Sequence, residues 1–196
     1  MSTDFSQVQE NLAKMLEVAL DLTLKEAKKD STWNFKRETG VNSFDMDHCI
    51  VLTISSFRFR VMVIIHLSYN QRIKQFLADI MGAKLQELDD EKLIDRLLEL
   101  SNSFCGHIKR HLQDTCPPLG MSTPNLLDSA CLSLDNVIET AHEAHVKGSD
   151  TFGGEALLGA SALVSLLDKA DFSIKQPQTS GQGGGDFESF GELEMF

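Results

Sequence analysis

The chain has 196 residues with 18 basic and 29 acidic side chains, a formal charge of -11, and is 42% hydrophobic and 24% charged. That length holds one domain with a core plus appendages, not two domains of average size, and the acidic balance argues against nucleic-acid and membrane-surface roles because it repels phosphate backbones and anionic headgroups. The first residues lack the basic start and apolar run of a signal peptide, and no stretch reaches the roughly eighteen apolar residues that span a bilayer, so a cytoplasmic location is expected. Cys49, Cys105, Cys116 and Cys131 are scattered without C-x-x-C spacing, and the expectation for them is buried free thiols.

Along 5–28, Val8, Leu12, Met15, Leu16, Ala19 and Leu22 recur at helical spacing, which predicts an amphipathic helix. The segment 31–45 holds Thr32, Trp33, Phe35 and Val41 among polar residues and a glycine, and reads as a strand entering a turn. Residues 49–57 and 59–67 are rich in Val, Ile and Phe and predict an antiparallel hairpin. At 69–81, Ile73, Phe76, Leu77 and Ile80 predict a second helix closed by Gly82. Asp89 or Asp90 caps a long helix running to Gln113, ahead of Pro117 and Pro118. Residues 120–134 read as loop and edge strand, and 137–147 and 152–167 as two further strands. The last of these is open to a second reading, because 155–168 is rich enough in Ala and Leu to be a helix.

At Gln176 the composition turns to Gln, Ser and Gly, the mark of a flexible linker over 176–185. Residues 186–196 differ again. They combine Asp186, Glu188, Glu192 and Glu194 with Phe187, Phe190, Leu193 and Phe196 near three-residue spacing, a short amphipathic face too weak to fold alone but able to dock on a partner. The expected organisation is a domain over 1–175, the linker, and this terminal peptide.

At about 100° per residue, Leu93, Leu97, Leu100, Phe104, Cys105, Ile108 and Leu112 of the long helix fall in one buried arc. Asp95, Glu99, Asn102 and Gly106 share a narrow stripe on the opposite side. An exposed face with acids and an amide is ordinary for a surface helix. A glycine in line with it is not, since a helix-interior glycine costs about 1 kcal/mol relative to alanine. The run Asp95-x-x-x-Glu99-x-x-Asn102-x-x-x-Gly106 resembles the signature of the CheC, CheX and FliY phosphatases of bacterial chemotaxis. The order of elements over roughly 5–167, with Ser122-Thr123-Pro124 following the signature helix, is most similar to CheX.

The resemblance implies an α/β chain of the α+β type: a single CheX-like domain with an antiparallel or mixed sheet, long helices packed on it, and the signature helix exposed on the outer face. It implies an enzyme that hydrolyses the aspartyl phosphate of a CheY-like response-regulator receiver, in chemotaxis or another two-component pathway. Asn102 would orient the attacking water, since an amide accepts through its oxygen and donates through its nitrogen. Glu99 would pair with the receiver's lysine, with Asp95 and Gly106 in support. Mg2+ would sit on the partner receiver, leaving this chain without a cofactor of its own. The same resemblance implies a homodimer joined through sheet edges. The terminal peptide, with Phe187, Phe190, Leu193 and Phe196 as its contact face, resembles the CheY-binding peptide of CheZ. A non-catalytic adaptor of the same fold, binding a receiver or a flagellar component, is the alternative. His107 and His111 lie four apart on the helix, and His142 and His145 three apart, but neither pair has the company a zinc site needs, so no metal site is assigned.

Overall fold

The periodicities resolve into three α-helices and seven strands in a computed structural model that describes residues 5–29, 31–113, 118–133, 139–150, 156–167 and 172–177. In chain order these are α1 (Phe5–Ala27), β1 (Trp33–Glu38), β2 (His48–Ser55), β3 (Phe59–Leu67), α2 (Gln71–Ile80), α3 (Asp90–Gln113), β4 (Gly120–Met121), β5 (Asn125–Asp128), β6 (His142–Asp150) and β7 (Leu158–Leu166). Short 3-10 turns at Val41–Ser43 and Ser129–Ser133 lie between strands. The terminal peptide and most of the preceding linker lie outside the described residues.

Local chemistry sets the helix ends. The Asn70 side chain accepts from the amides of Arg72 and Ile73 at the start of α2, and Gly82, at φ +64°, closes it with Ala83 N–H bonded to Ala78 O. Asp89 is the carboxylate that caps α3, accepting from Lys92 N at 2.9 Å.

One antiparallel sheet runs β1-β6-β7-β3-β2, with β4 and β5 both paired to the outer side of β2. Of the expected alternatives, antiparallel therefore replaces mixed. The β2–β3 hairpin forms as predicted, Ser55 opposite Arg60. The strand expected over 137–147 starts later and extends to Asp150, because β1 pairs along it from Glu38↔His145 to Trp33↔Asp150. The segment 155–168 contains a strand, not a helix. β7 is sandwiched between β3 and β6, and its residues from Leu158 to Val164 are buried on both faces.

α1 and α3 pack together over one face of the sheet. Leu12, Leu16, Leu24, Phe104 and Ile108 meet Ile50, Leu52, Ile54, Val61, Val63 and Val164 in a single core. Each such side chain stabilises the fold by about 1.5–3 kcal/mol through burial.

The other face is partly polar. Ser161, with no exposed surface, lies between two buried imidazoles, 2.8 Å from His66 Nε2 and 2.8 Å from His145 Nδ1. Its hydroxyl donates to one ring and accepts from the other. Phe44 stacks flat on His66 with ring centroids 3.9 Å apart, a close approach that Gly159 permits, since a Cβ there would come within 2.3 Å of the Phe44 ring. Lys147 Nζ lies over the same ring and bonds to Ser43 O. Burial, with His145 and Lys147 nearby, pushes His66 down to about 3, and burial lowers His145 as well.

An unfolded histidine takes its proton near pH 6.5, so between about 6.5 and 3 the unfolded chain binds more protons than the fold at His66, and His145, lowered by burial, acts in the same direction below 6.5. Their contribution is complete above about 6.5 and is lost as pH falls below it. Denaturant midpoints should fall from pH 7 to pH 5, each fully engaged histidine adding a slope of up to about 1.4 kcal/mol per pH unit. His66→Gln should flatten that slope; an unchanged slope would remove His66 from the account.

Candidate functional site

α3 is anchored at its start and along its inner side, which fixes what points outward. Asp90 in its first turn accepts from Lys74 Nζ at 2.8 Å and from the Tyr69 hydroxyl at 3.2 Å, while Asp47 accepts from Tyr69 N at 3.1 Å. Lys74 also lies 4.5 Å over the Tyr69 ring. The inner arc Leu93, Leu97, Leu100, Phe104, Cys105, Ile108 and Leu112 is buried as the spacing predicts, with Ser101 joining it by donating to Leu97 O at 2.8 Å.

That burial leaves Asp95, Glu99 and Asn102 exposed on the far side of α3, with Gly106 half-buried in line with them. Within the described residues no hydrogen bond or ion pair engages the side chain of Asp95 or Asn102. A Cβ built on Gly106 would meet nothing within 4 Å. The described interior therefore does not require glycine here.

Glu99 does have a partner that the spacing analysis missed. Arg96 Nη1 donates to Glu99 Oε2 at 2.9 Å, with the Glu99 side chain 66% exposed. An Arg–Glu pair three apart on a helix is legible in sequence. Such an exposed pair is worth about 0–1 kcal/mol, so it orients the carboxylate without locking it.

Following the chain from α3, β4 and β5 form one broken edge strand beside β2, on which α3 packs. Between the pairs Val51↔Asn125 and Ile54↔Met121, two residues of β2 face the three residues 122–124. This is a one-residue bulge holding Pro124, a residue confined to edges and bulges because it has no amide proton. Ser122 fastens it, its Oγ accepting from Thr53 N and its N–H donating to Thr53 O, both at 2.9 Å.

The two histidines of α3 and the two of β6 each contact other parts of the fold. His107 Nε2–H donates to Glu26 at 3.0 Å and its Nδ1 accepts from Arg110, tying α3 to α1, while His111 bonds to Lys175 O. His142 and His145 fall on opposite faces of β6, one against Phe5 and Phe172, the other against Ser161. Among the described residues no group of three or more His, Cys, Asp or Glu is placed to hold a metal.

Chemically, the stripe is a carboxylate and a carboxamide one turn apart on an exposed helix face. The clefts lined by Glu10, Arg37 and Glu143 and by Asn70, Arg72 and Lys147 contain none of its residues. An exposed helix face suits a macromolecular partner rather than an enclosed small molecule. Phe187, Phe190, Leu193 and Phe196 lie outside the described residues. No helix among the described residues is long and apolar enough to cross a membrane.

If the outer face is free of internal constraint, Gly106→Ala should stabilise the isolated protein by about 1 kcal/mol, measured as a raised denaturant midpoint. A destabilised variant would mean that the glycine serves the fold itself.

No protein-family model and no curated protein sequence matches the chain. Solved structures do. The CheC-like protein of Shewanella oneidensis aligns with a TM-score of 0.57 at 13% identity, over 79% of this chain and 98% of that one. CheX of Borrelia burgdorferi, solved in complex with CheY, BeF3 and Mg2+, aligns at 0.56 and 10% identity, over 78% and 97%. The FliM middle domain of Helicobacter pylori aligns at 0.52 and 11% identity, over 83% and 93%. The α+β fold built here, with α1 and α3 on one face of an antiparallel sheet, is the fold of the CheX, CheC-like and FliM middle-domain structures.

Proposed function

We propose that the protein is a CheX-like phosphatase acting on the aspartyl phosphate of a CheY-like receiver domain through the outer stripe of α3. The observation that carries this reading is the pairing of exposed Glu99 and Asn102 with a glycine that no internal contact requires. Support comes from a fold shared with a CheX that is seen bound to CheY.

An acyl phosphate needs only a water held in line with phosphorus and a fixed geometry around it. In this reading Asn102 accepts a hydrogen bond from that water through Oδ1 and donates through Nδ2 to a neighbouring oxygen. Glu99 leaves Arg96 for the receiver's lysine. The exchange is favourable, because the Arg96 pair is worth about 0–1 kcal/mol while a charge-assisted bond excluded from water contributes about 1.5–3 kcal/mol. Asp95 lies one turn before Glu99 and borders the contact. Mg2+ is carried by the receiver, as the BeF3 and Mg2+ of the Borrelia CheX–CheY complex fit, and no residue of this chain is assigned to hold it.

The peptide 186–196 is the second contact of the proposal, with Phe187, Phe190, Leu193 and Phe196 as its apolar face. A tether of about ten Gly-rich residues spans roughly 17 Å and raises the local receiver concentration into the millimolar range. A homodimer through the free side of β1 or the bulged β4–β5 edge completes it. The rival reading, a non-catalytic adaptor, draws on the FliM likeness, since FliM is also seen in a complex with SpeE.

The test mixes the protein with CheY-like receivers of its source organism, phosphorylated by a small phosphodonor, and follows phosphate release. Wild type should hasten decay, and Asn102→Ala should lose about 100-fold of the acceleration. Glu99→Ala should weaken receiver binding about tenfold. Wild type no faster than the variants would leave the adaptor.

Deleting 186–196 should raise the receiver concentration needed for half-maximal rate by at least tenfold, consistent with loss of a tether, and leave the saturated rate unchanged. Equal half-maximal concentrations would exclude the tail as a docking element.

A further inference from the structure

Of the thiols, Cys49 and Cys105 are buried as expected, but Cys131 is exposed, and it is not isolated. Its Sγ lies 3.8 Å from Cys49 Sγ, van der Waals contact for two sulfurs, although the residues are 82 positions apart in sequence. The fold makes this meeting deliberate in geometry. β5 pairs with β2 so that Leu127 stands opposite Cys49. The chain then turns back over β2 in the 3-10 helix Ser129–Ser133, held by Ser129 N–H on Asp47 O at 3.0 Å and Ala130 N–H on Asp128 Oδ1 at 2.8 Å. Leu132 packs on the cluster of Cys49, Ile64 and Leu163 beneath it.

We propose that Cys131 and Cys49 are a thiol pair that hydroperoxides convert to an intramolecular disulfide. The exposed Cys131 sulfur attacks the peroxide, its S–O bond forming as the O–O bond breaks; the thiol is oxidised to a sulfenic acid and the peroxide reduced to an alcohol or water. Cys49 Sγ then attacks the Cys131 sulfur, and the S–O bond breaks. The Cys49 proton leaves with the hydroxyl as water, so two thiols and one hydroperoxide give one disulfide, one alcohol and one water. The order follows from exposure, since oxidant reaches Cys131 and not Cys49. Burial and the neighbouring Cys131 and Asp128 also push the Cys49 thiol up to about 12, so it is not the first of the two to react with peroxide. A disulfide requires about 2.05 Å between sulfurs, an approach of about 1.8 Å from the present contact. Cys105, also pushed up to about 12 by burial, has no thiol beside it among the described residues. In a reducing compartment such a bond is transient and regulatory, not structural, and here it would clamp the four-residue edge strand β5 and its following turn onto β2.

The experiment treats the reduced full-length protein with one equivalent of hydrogen peroxide, alkylates the remaining thiols and maps the digest by mass spectrometry. The expected result is one cross-linked peptide pair holding Cys49 and Cys131, two hydrogens lighter than the reduced peptides and released by a dithiol. The oxidised protein should unfold several degrees higher, because the bond closes a long loop. In Cys49→Ala the cross-link is lost and Cys131 is trapped as sulfenic acid by a dione probe. In Cys131→Ser, an exposed and therefore benign change, Cys49 stays a thiol under the same treatment. Full alkylation of both cysteines after peroxide, or Cys131 linked instead to Cys116, Cys105 or a second copy, overturns the proposal.

Discussion

The receiver-docking reading depends on the burial of the inner arc of α3. Leu97, Phe104, Ile108 and Leu112 are fixed between α1 and the sheet, and because the α-helical period is rigid, that contact alone determines that Asp95, Glu99 and Asn102 face outward. Truncating one of these buried side chains to alanine removes about 2–5 kcal/mol, far more than any contact the stripe itself makes. The core thus supplies the rigidity, and the stripe is left free of duties to the fold. Asp90 with Lys74 and Tyr69 at one end, and His107 with Glu26 further along, stop the helix from rotating about its axis. A site built on a rigid element positions its groups more closely than one built on a loop.

The helices were legible because each buries one face and exposes the other, so the period shows in the letters, and the hairpin because its runs of Val, Ile and Phe flank a short turn. β7, read as a strand over 152–167, was equally open to a helical reading because its letters carry no one-sided period. It is covered by the helical layer on one side and by Phe44 and the histidines on the other, so every residue from Leu158 to Val164 is buried, with Ser161 held between His66 and His145. Leu-Gly-Ala-Ser-Ala-Leu-Val at the same time reads as a helix. β6 was placed too early because its tail, Lys147 to Asp150, is polar; β7 pairs with it only as far as Gly148, and Ser149 and Asp150 are strand through β1. Tertiary pairing overrode local propensity.

The stripe itself was legible, as helix arithmetic requires nothing beyond spacing. The Arg96 partner of Glu99, three positions away, was open to the same arithmetic, whereas the letters did not give the empty space over Gly106. Nor did they join Cys49 to Cys131, because their contact depends on the bulged edge strand and the turn after it. The polar trio of His66, Ser161 and His145 was equally invisible, its members scattered over three strands. These are long-range meetings, and no local pattern encodes them.

The central claim is that the outer stripe of α3 is where a receiver docks, and the most direct measurement maps backbone amide shifts of the labelled protein against a CheY-like receiver with and without beryllofluoride and Mg2+. The account predicts that the activated receiver shifts the amides of Asp95, Glu99, Asn102 and Gly106, and that the unactivated one does so weakly. Shifts confined to β1 or to the β4–β5 edge, with α3 silent, would contradict it.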